Sequence, residues 1–304
     1  NLISGVESDE FKSRIFLSIG EIYSSINDSE NAYQYLNKGA NLSKNRLLRE
    51  EVYFQIAEIS FENNDFDKAL DSYQKVLSNT ISITRIQESN LKIVQIYRLR
   101  GELEKSANII QDLLVDEDFN SIKADLDLEL IKIEFERGKI DFAIQNYDRI
   151  GKDYPNTKTA IEAYFLLSEI YLSSSYLDFE KVQFFMNESM RQNTNSSFKQ
   201  IINKRRNDID KLIQLDLELK QLKNSERVEN LFLTGQILAF NLAKYDESKT
   251  YFEEIIFKNQ SSDFYLQSLF ALYTLNLKIN NDEYLNYRDK IITDYPNSDF
   301  AKYI

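Results

Sequence analysis

Apolar residues along the chain recur at intervals of three and four positions, the spacing that places side chains on one face of an α-helix. The segments that carry this pattern come in pairs, which short polar breaks separate. No stretch of useful length alternates with a period of two, as a half-buried strand would. The pattern therefore predicts an all-α chain of antiparallel helix pairs, with about fifteen helices in total.

The second helix of each predicted pair opens with a small residue. This position recurs every 36 to 39 residues, with one gap of 66 residues, at Ala32, Ala69, Ala107, Ala143, Val182 and Ser248. A small side chain lets two helices approach closely, while the larger residues four and seven positions later fill the space between neighbouring pairs. One pair cannot bury its apolar face alone, so we expect about seven pairs to stack and share a continuous core.

The gap of 66 residues contains a different element. From Phe198 to Leu222 the apolar residues stay on one helical face, and no Gly or Pro interrupts them. This predicts a single helix of about six turns, longer than its neighbours. The predicted organisation is therefore five repeats in residues 1–190, a long bridging helix in residues 191–224 and two further repeats in residues 225–304.

The helix pairs resemble the tetratricopeptide repeat, whose second helix carries Ala, an aromatic residue and an aliphatic residue, followed by Pro. The clearest copy reads IDFAIQNYDRIGKDYPN, with Ala143, Tyr147, Ile150 and Pro155 at these positions, and another reads NDFDKALDSYQKVL. The resemblance implies a right-handed α-solenoid. It also implies that the concave side of the solenoid is an extended surface for binding another protein or a peptide segment.

Two boundary segments, DYPNTKTAIEAYFLLSEIY and DYPNSDFAKYI, look like those of bacterial cell-envelope members of this family. Similar segments occur in the lipoprotein of the outer-membrane β-barrel assembly machinery and in the periplasmic coordinator of the Tol-Pal system. This implies a periplasmic or outer-membrane-associated scaffold, with any lipid anchor upstream of Asn1 because the chain has no Cys. The alternative is the repeat region of a larger cytoplasmic regulatory or signalling protein whose effector domain lies outside this sequence.

Composition narrows the chemistry that the chain can perform. It contains no Cys and no His, which excludes zinc sites built on nitrogen and sulfur, thiol nucleophiles and histidine bases. Its 7 Gly residues form no nucleotide-binding loop, and a net charge of −12 disfavours nucleic acid. The longest uncharged stretch, residues 230–243, is too short to span a membrane. We expect a non-enzymatic scaffold with no catalytic residue, no cofactor and no metal.

The register of the repeats predicts which residues line the concave side. Two apolar columns on the first helices flank a partly acidic column. The candidate groove residues are Phe54, Glu58, Phe61, Leu128, Phe135, Phe165 and Glu169. Aromatic pockets beside carboxylates suit a segment with apolar anchors and some Lys or Arg. The alternative is that tighter coiling buries these side chains between adjacent helices as part of the core.

Other charged clusters are explained more simply. The acids of residues 116–118 and 125–129 could in principle provide an acid and base pair or bind calcium, and the basic residues 204–206 could attract phosphate or anionic lipid. Acids near helix starts are favoured by capping and by the helix dipole. We therefore expect capping for the acids and a solvated helix face for the basic run.

Overall fold

A computed structural model of the chain describes residues 8–173, 178–193, 198–222 and 225–304. Within these ranges the secondary structure is entirely helical, with sixteen α-helices, one 3₁₀ helix, one π-helix and no strand. The all-α fold predicted from the sequence is confirmed, and the helices follow one another in the consecutive pairs that about seven repeats require. The chain divides into two compact units, Asn1–Asn146 and Tyr147–Ile304.

The first unit contains three complete helix pairs, then a 3₁₀ helix and the start of a fourth pair. Its helices are α1 (Asp9–Ser25), α2 (Ser29–Leu42), α3 (Arg46–Glu62), α4 (Phe66–Asn79), α5 (Ile83–Leu99), α6 (Leu103–Leu114), the 3₁₀ helix (Glu117–Ile122) and α7 (Lys123–Glu136). The boundary between the units falls in sequence within α8 (Ile140–Asp153).

The second unit is less regular. Its helices are α9 (Lys158–Tyr171), α10 (Phe179–Arg191), α11 (Phe198–Gln221), α12 (Ser225–Gln236), the π-helix (Ile237–Asn241), α13 (Tyr245–Lys258), α14 (Tyr265–Lys278), α15 (Tyr284–Asp294) and α16 (Asp299–Tyr303). The π-helix directly extends α12, and α16 is a single short turn at the end of the described chain.

The turn inside each pair of the first unit has a fixed backbone geometry. A residue with positive φ occupies the same place every 37 residues, at Asn27, Asn64, Gly101 and Gly138. Gly adopts this conformation freely and Asn tolerates it, so the sequence supplies a suitable residue at every turn. In the second turn, the Asp65 N–H then donates to the Ser60 carbonyl at 2.9 Å, and the Asp65 carboxylate caps α4 by accepting from the Lys68 N–H.

The small residues that open the second helices lie at close helix contacts, as predicted. Ala32, Ala69, Ala143, Val182 and Ser248 are fully buried, and Ala107 is 4% exposed. The first helix of the first pair is equally tight, because a Cβ on Gly20 would lie 2.6 Å from Leu36 Cγ and 2.9 Å from the Leu36 backbone nitrogen. No larger side chain fits between α1 and α2 at that point.

The long helix predicted between the two blocks of repeats is confirmed. Helix α11 is continuous over 24 residues and is the longest helix in the described ranges. The middle of its predicted apolar stripe is buried, at Ile202, Ile209, Leu212 and Leu215. The three-part division of the chain that was predicted around this helix stays a prediction.

Candidate functional site

The candidate site in the first unit is built on one face of α3. Asn45 begins this helix, and its side chain accepts hydrogen bonds from the N–H groups of the first turn. One face of the helix is core, where Val52, Ile56 and Ala57 are buried. Phe54, Glu58 and Phe61, three of the predicted groove residues, follow one another at helical spacing on a different face and are half-buried.

This face borders a cavity of about 490 Å³, which we call the acidic groove. Its lining comes from the first helices α1 and α3, with Leu36 contributed by α2. Its lining residues are Glu21, Ser24, Ser25, Leu36, Glu51, Phe54, Gln55, Glu58, Ile59 and Glu62. A partner that enters the cavity therefore meets four carboxylates, one aromatic ring and a few short polar side chains.

Two of the four carboxylates are paired with cations from α5. Arg85 Nη2 lies 3.0 Å from Glu51 Oε2, and Lys92 Nζ lies 3.5 Å from Glu58 Oε2. Glu58 also accepts a short hydrogen bond from the Tyr73 hydroxyl. Burial, and after it this bond to Glu58, raises the pKa of Tyr73, so the hydroxyl stays protonated and keeps donating.

The other two carboxylates are open. Within the described part of the chain, Glu21 and Glu62 are exposed and make no ion pair or hydrogen bond through their side chains. The lining of the groove therefore presents two uncompensated negative charges beside Phe54. Such a surface attracts cations from solution.

The same two cations from α5 also lie over the aromatic rings of α3. The guanidinium carbon of Arg85 is 3.8 Å from the centroid of the Phe54 ring, and Lys92 Nζ is 4.2 Å from that of Phe61. Contacts of this kind at exposed sites are worth about 0.5–1 kcal/mol. Each of these two rings on α3 thus already has a cation of the chain itself next to a carboxylate, an arrangement that a basic ligand would reproduce.

The α7 part of the predicted groove is different. Leu128 is only 3% exposed, so the structure corrects its assignment: its side chain belongs to the core and not to a binding surface. Phe135 is 38% exposed. Between them, Glu129 is 3% exposed and is held by Arg98 Nε and Lys132 Nζ, each at 2.8 Å. Of the two predicted residues on this helix, only Phe135 has an exposed side chain.

The last two predicted residues, Phe165 and Glu169, lie on α9 in the second unit. Phe165 is half-buried and packs against the core cluster around Met186 and Leu212. Both oxygens of Glu169 accept from Arg205 of α11, at 3.0 Å from Nε and 2.9 Å from Nη2. Their position on one concave surface with the residues of α3 stays a prediction.

The other charged clusters have structural roles. Asp116 caps the 3₁₀ helix by accepting from the Asp118 N–H at 3.0 Å, which confirms the capping interpretation at that residue. Arg205, in the middle of the basic run, is engaged by Glu169, so the run is not simply a solvated face. Among the residues that the structure describes, no group of three or more acidic side chains is arranged to hold a metal ion, and no helix is long and apolar enough to cross a membrane.

A family comparison finds a match in the part of the chain that forms the groove. The tetratricopeptide repeat model matches residues 13–46 and 50–79. These segments correspond to the pairs α1–α2 and α3–α4, so the family model matches the part of the chain in which the acidic groove lies. A search of curated proteins found no match. Repeats of this type stack into extended surfaces that bind other proteins.

Several solved structures are similar at low identity. A tetratricopeptide repeat protein from Parabacteroides merdae is 13% identical, with a TM-score of 0.45, and the match covers 96% of each chain. The C-terminal part of a repeat-containing protein from Cytophaga hutchinsonii is 14% identical, with a TM-score of 0.43, over 94% of this chain and 98% of that one. MamA is 18% identical, with a TM-score of 0.42, over 60% of this chain and 91% of that one. At this level of similarity they carry no argument about function.

Proposed function

We propose that the chain is a protein-binding scaffold whose acidic groove holds a basic segment of a partner protein. The observation that carries the proposal is the cavity of about 490 Å³ between α1 and α3, lined by Phe54 and four carboxylates. Glu21 and Glu62 supply the uncompensated charge, and Phe54 supplies an apolar contact. The occupant is a segment that presents Lys or Arg beside an aliphatic or aromatic side chain, and the proposal includes no catalysis.

The chain itself indicates how the segment is bound. Arg85 and Lys92 each place a cation over an aromatic ring and against a carboxylate. A ligand cation that enters the groove would meet the unpaired Glu21 and Glu62 directly, and one that reaches Glu58 would compete with Lys92. Tyr73 fixes the Glu58 carboxylate from below, so the groove is preorganised and less side-chain entropy is lost on binding.

Selection from a displayed library of random twelve-residue peptides against the full chain tests this proposal. We expect the selected peptides to be enriched in Lys and Arg next to apolar residues, and to bind more weakly as salt is raised. The double variant Glu21→Gln, Glu62→Gln should bind the best peptide about tenfold more weakly, because two charge contacts of up to about 1 kcal/mol each are lost.

A matched control removes the same charge elsewhere. Asp112 and Glu117 are exposed, lie on α6 and the 3₁₀ helix, and do not line the groove. The double variant Asp112→Asn, Glu117→Gln should bind the peptide as the wild type does. Equal losses in both double variants would mean that only the net charge matters, and would overturn the groove as the site.

The aromatic residues define the extent of the site. Rigid aromatic anchors often dominate peptide binding, so the Phe61→Ala, Phe135→Ala double variant is expected to lose at least about 2 kcal/mol of affinity with unchanged helical content. The two single variants locate the effect. A loss confined to Phe61→Ala would restrict the site to α3, whereas a loss confined to Phe135→Ala would move it to α7.

The finer proposal is a role in the bacterial cell envelope, either in the periplasm or at the outer membrane. It is supported by the two boundary segments at residues 153–171 and 294–304. Fractionation of the native cells with an antibody against the chain tests it. Recovery in the cytoplasmic fraction would favour the alternative of a regulatory or signalling protein.

A further inference from the structure

A second cavity, of about 240 Å³, lies entirely within the second unit and is separate from the acidic groove. We call it the apolar pocket. Its walls include Leu172, which directly follows α9, Leu212 of α11 and Leu238 of the π-helix, and each of these residues is buried. Phe179 of α10 adds an aromatic ring to the lining. Helix packing normally leaves few voids larger than a water molecule, so a cavity of this size calls for an explanation.

The acidic groups of the lining are already satisfied within the protein. Asp216 Oδ2 lies 2.6 Å from Lys220 Nζ on the same helix, and Glu247 has an interaction partner of its own. The buried hydroxyl of Thr234 donates to the Asn230 carbonyl at 2.7 Å. These groups therefore do not require a charged ligand, and the apolar walls penalise any ligand charge that loses its water.

Tyr251 of α13 brings an open hydrogen-bond donor to the lining. Its ring packs against the core cluster that contains Leu212 and Leu238. Among the described residues, the Tyr251 hydroxyl has no hydrogen-bond partner. Burial, and after it the neighbouring Asp216, raises the pKa of Tyr251, so the hydroxyl keeps its proton at neutral pH. A partly buried donor without a partner costs free energy, which an acceptor on a ligand would recover.

The backbone beside the pocket has an unusual conformation. Residues Ile237–Asn241 form a π-helix that contributes Leu238 to the walls, and the Leu242 N–H closes it by donating to the Ile237 carbonyl at 3.0 Å. The chain then leaves the turn through Ala243, which has a φ of 54° although it is not glycine. π-Helical turns are rare and occur frequently at functional sites. This observation is independent of the cavity itself.

We propose that the apolar pocket binds a small uncharged aromatic molecule, with its ring against the three leucines and one oxygen that accepts from the Tyr251 hydroxyl. An engineered apolar cavity of about 150 Å³ accommodates benzene, so 240 Å³ is enough for one aromatic ring with a two-carbon substituent. Apolar walls with a few polar groups are typical of sites for small molecules. The pocket is independent of the acidic groove, which lies in the first unit.

Titration of the full chain with acetophenone tests the proposal, followed by calorimetry and by leucine methyl resonances in NMR spectra. We expect one saturable site with a dissociation constant on the order of 1 mM or tighter, as a ligand of this size allows. The methyl shifts should centre on Leu172, Leu212 and Leu238. Ethylbenzene has the same carbon skeleton without the acceptor and should bind about three- to tenfold more weakly. Benzoate should bind at least about tenfold more weakly than acetophenone, because its charge would lose its water.

Three variants separate the parts of the site. Tyr251→Phe should lower the affinity for acetophenone to that for ethylbenzene and leave the affinity for ethylbenzene unchanged. The matched control is Tyr287→Phe, since Tyr287 on α15 is also half-buried, with its pKa raised by burial, and does not line the pocket. This control should bind both molecules as the wild type does. Thr250→Trp should block the mouth and abolish binding of both, and it is accommodated because Thr250 is exposed.

A free aromatic molecule and an aromatic residue of a peptide share this chemistry, so a second titration with N-acetyl-phenylalaninamide distinguishes the two sources. Binding of either probe with the expected variant pattern supports the site, and the tighter probe identifies the source. The absence of saturable binding by both probes would overturn the proposal and leave the cavity as a packing void. Equal affinity for acetophenone and ethylbenzene, an unchanged preference in Tyr251→Phe, or wild-type affinity in Thr250→Trp would also overturn it.

Discussion

Two carboxylates at the same repeat position, Glu58 on α3 and Glu169 on α9, have different environments. Glu58 accepts from the Tyr73 hydroxyl, contacts a single lysine at 3.5 Å, and lies in a cavity with other acids. Both oxygens of Glu169 are bound by Arg205 in a bidentate pair, and the two side chains are each 21% exposed. An arginine fork satisfies a carboxylate far more completely than one distant ammonium does. Equivalence in the repeat therefore does not imply equivalence in function.

The units also differ in the residue that opens the second helix of each pair. In the first unit the second helices open with alanine every time, at Ala32, Ala69, Ala107 and Ala143. In the second unit the same position holds Val182 and Ser248, both fully buried. The first unit thus has the same residue type at every one of these helix contacts, whereas the second unit, which contains α11 and the π-helix, has two different residue types there.

The largest expected effect comes from exchanging the small residues between the units. Ala143→Leu should lower the free energy of unfolding by about 1–3 kcal/mol, because the added carbons have no space at a fully buried helix contact. Val182→Ala should lower it by about 1.5 kcal/mol, because it removes about two buried carbons at roughly 0.8 kcal/mol each. Chemical denaturation measures both changes.

The two substitutions move side-chain size in opposite directions, which makes the pair informative. If the second unit needed a small residue as the first does, Val182→Ala would be neutral or stabilising. That result would remove the distinction between the two packings. An Ala143→Leu variant that melts with the wild type would show instead that Ala143 is not at a close contact.

The next effect concerns Glu169, the carboxylate that Arg205 binds through both oxygens. Arg205→Gln should cost about 1–2 kcal/mol, because the half-buried Glu169 loses both charged hydrogen bonds and Arg205 also donates to the Asn241 carbonyl at 2.9 Å. The neighbouring Lys204→Gln removes the same charge from an exposed position and should change stability by less than about 0.5 kcal/mol. Equal costs would show that the pair with Glu169 adds nothing specific.

The repeat register and the fold could be predicted from sequence, because both depend on residues a few positions apart. The buried alanines and the continuous helix α11 illustrate this. Contacts between repeats could not be predicted in the same way. Lys92 stands in the same repeat column as Phe54, yet its ammonium lies over Phe61 and against Glu58. Long flexible side chains reach several neighbours, and the linear pattern does not show which one they choose.

The candidate site also contains residues that the sequence pattern placed wrongly or did not identify. Leu128 occupies the column of Phe54, but its helix turns that position into the core, where it is 3% exposed. Glu21 and Glu62 were not among the predicted groove residues, although Glu21 stands one repeat before Glu58 in its column. The π-helix at Ile237–Asn241 adds one residue to a turn without changing the apolar pattern, so the sequence contains no signal for it.

A smaller, pH-dependent effect concerns Glu129, a carboxylate of the first unit that cations of the chain itself also bind. Burial alone would raise the pKa of Glu129, but Lys132 and Arg98 overcome it and hold the pKa below its ordinary value. A lowered folded pKa means that Glu129 stabilises the fold above the unfolded pKa of about 4.3, and that this contribution is lost as the pH falls below that value.

Unfolding measured from pH 7 to pH 3 checks this contribution. Glu129→Gln should be less stable than the wild type at pH 7 by about 1 kcal/mol and should lose less stability on acidification. Glu117→Gln, an exposed acid outside this cluster, should follow the wild-type curve. Parallel curves for the wild type and Glu129→Gln would mean that Glu129 titrates alike in the folded and unfolded chains.

The smallest expected effect tests whether Glu58, which is paired with Lys92 at 3.5 Å, is accessible to a partner. Lys92→Gln should change the free energy of unfolding by less than about 0.5 kcal/mol, because Lys92 and Glu58 are partly exposed and 3.5 Å apart. It should raise the affinity of a selected basic peptide about threefold, because the peptide no longer competes with Lys92 for Glu58 and Phe61. Lys105→Gln is the matched control, since Lys105 makes a similar contact with Tyr97 outside the groove. An equal gain in affinity in both variants would attribute the effect to net charge. A gain confined to Lys92→Gln would show that Glu58 of the first unit is available to a partner, whereas Glu169 of the second unit is bound by Arg205.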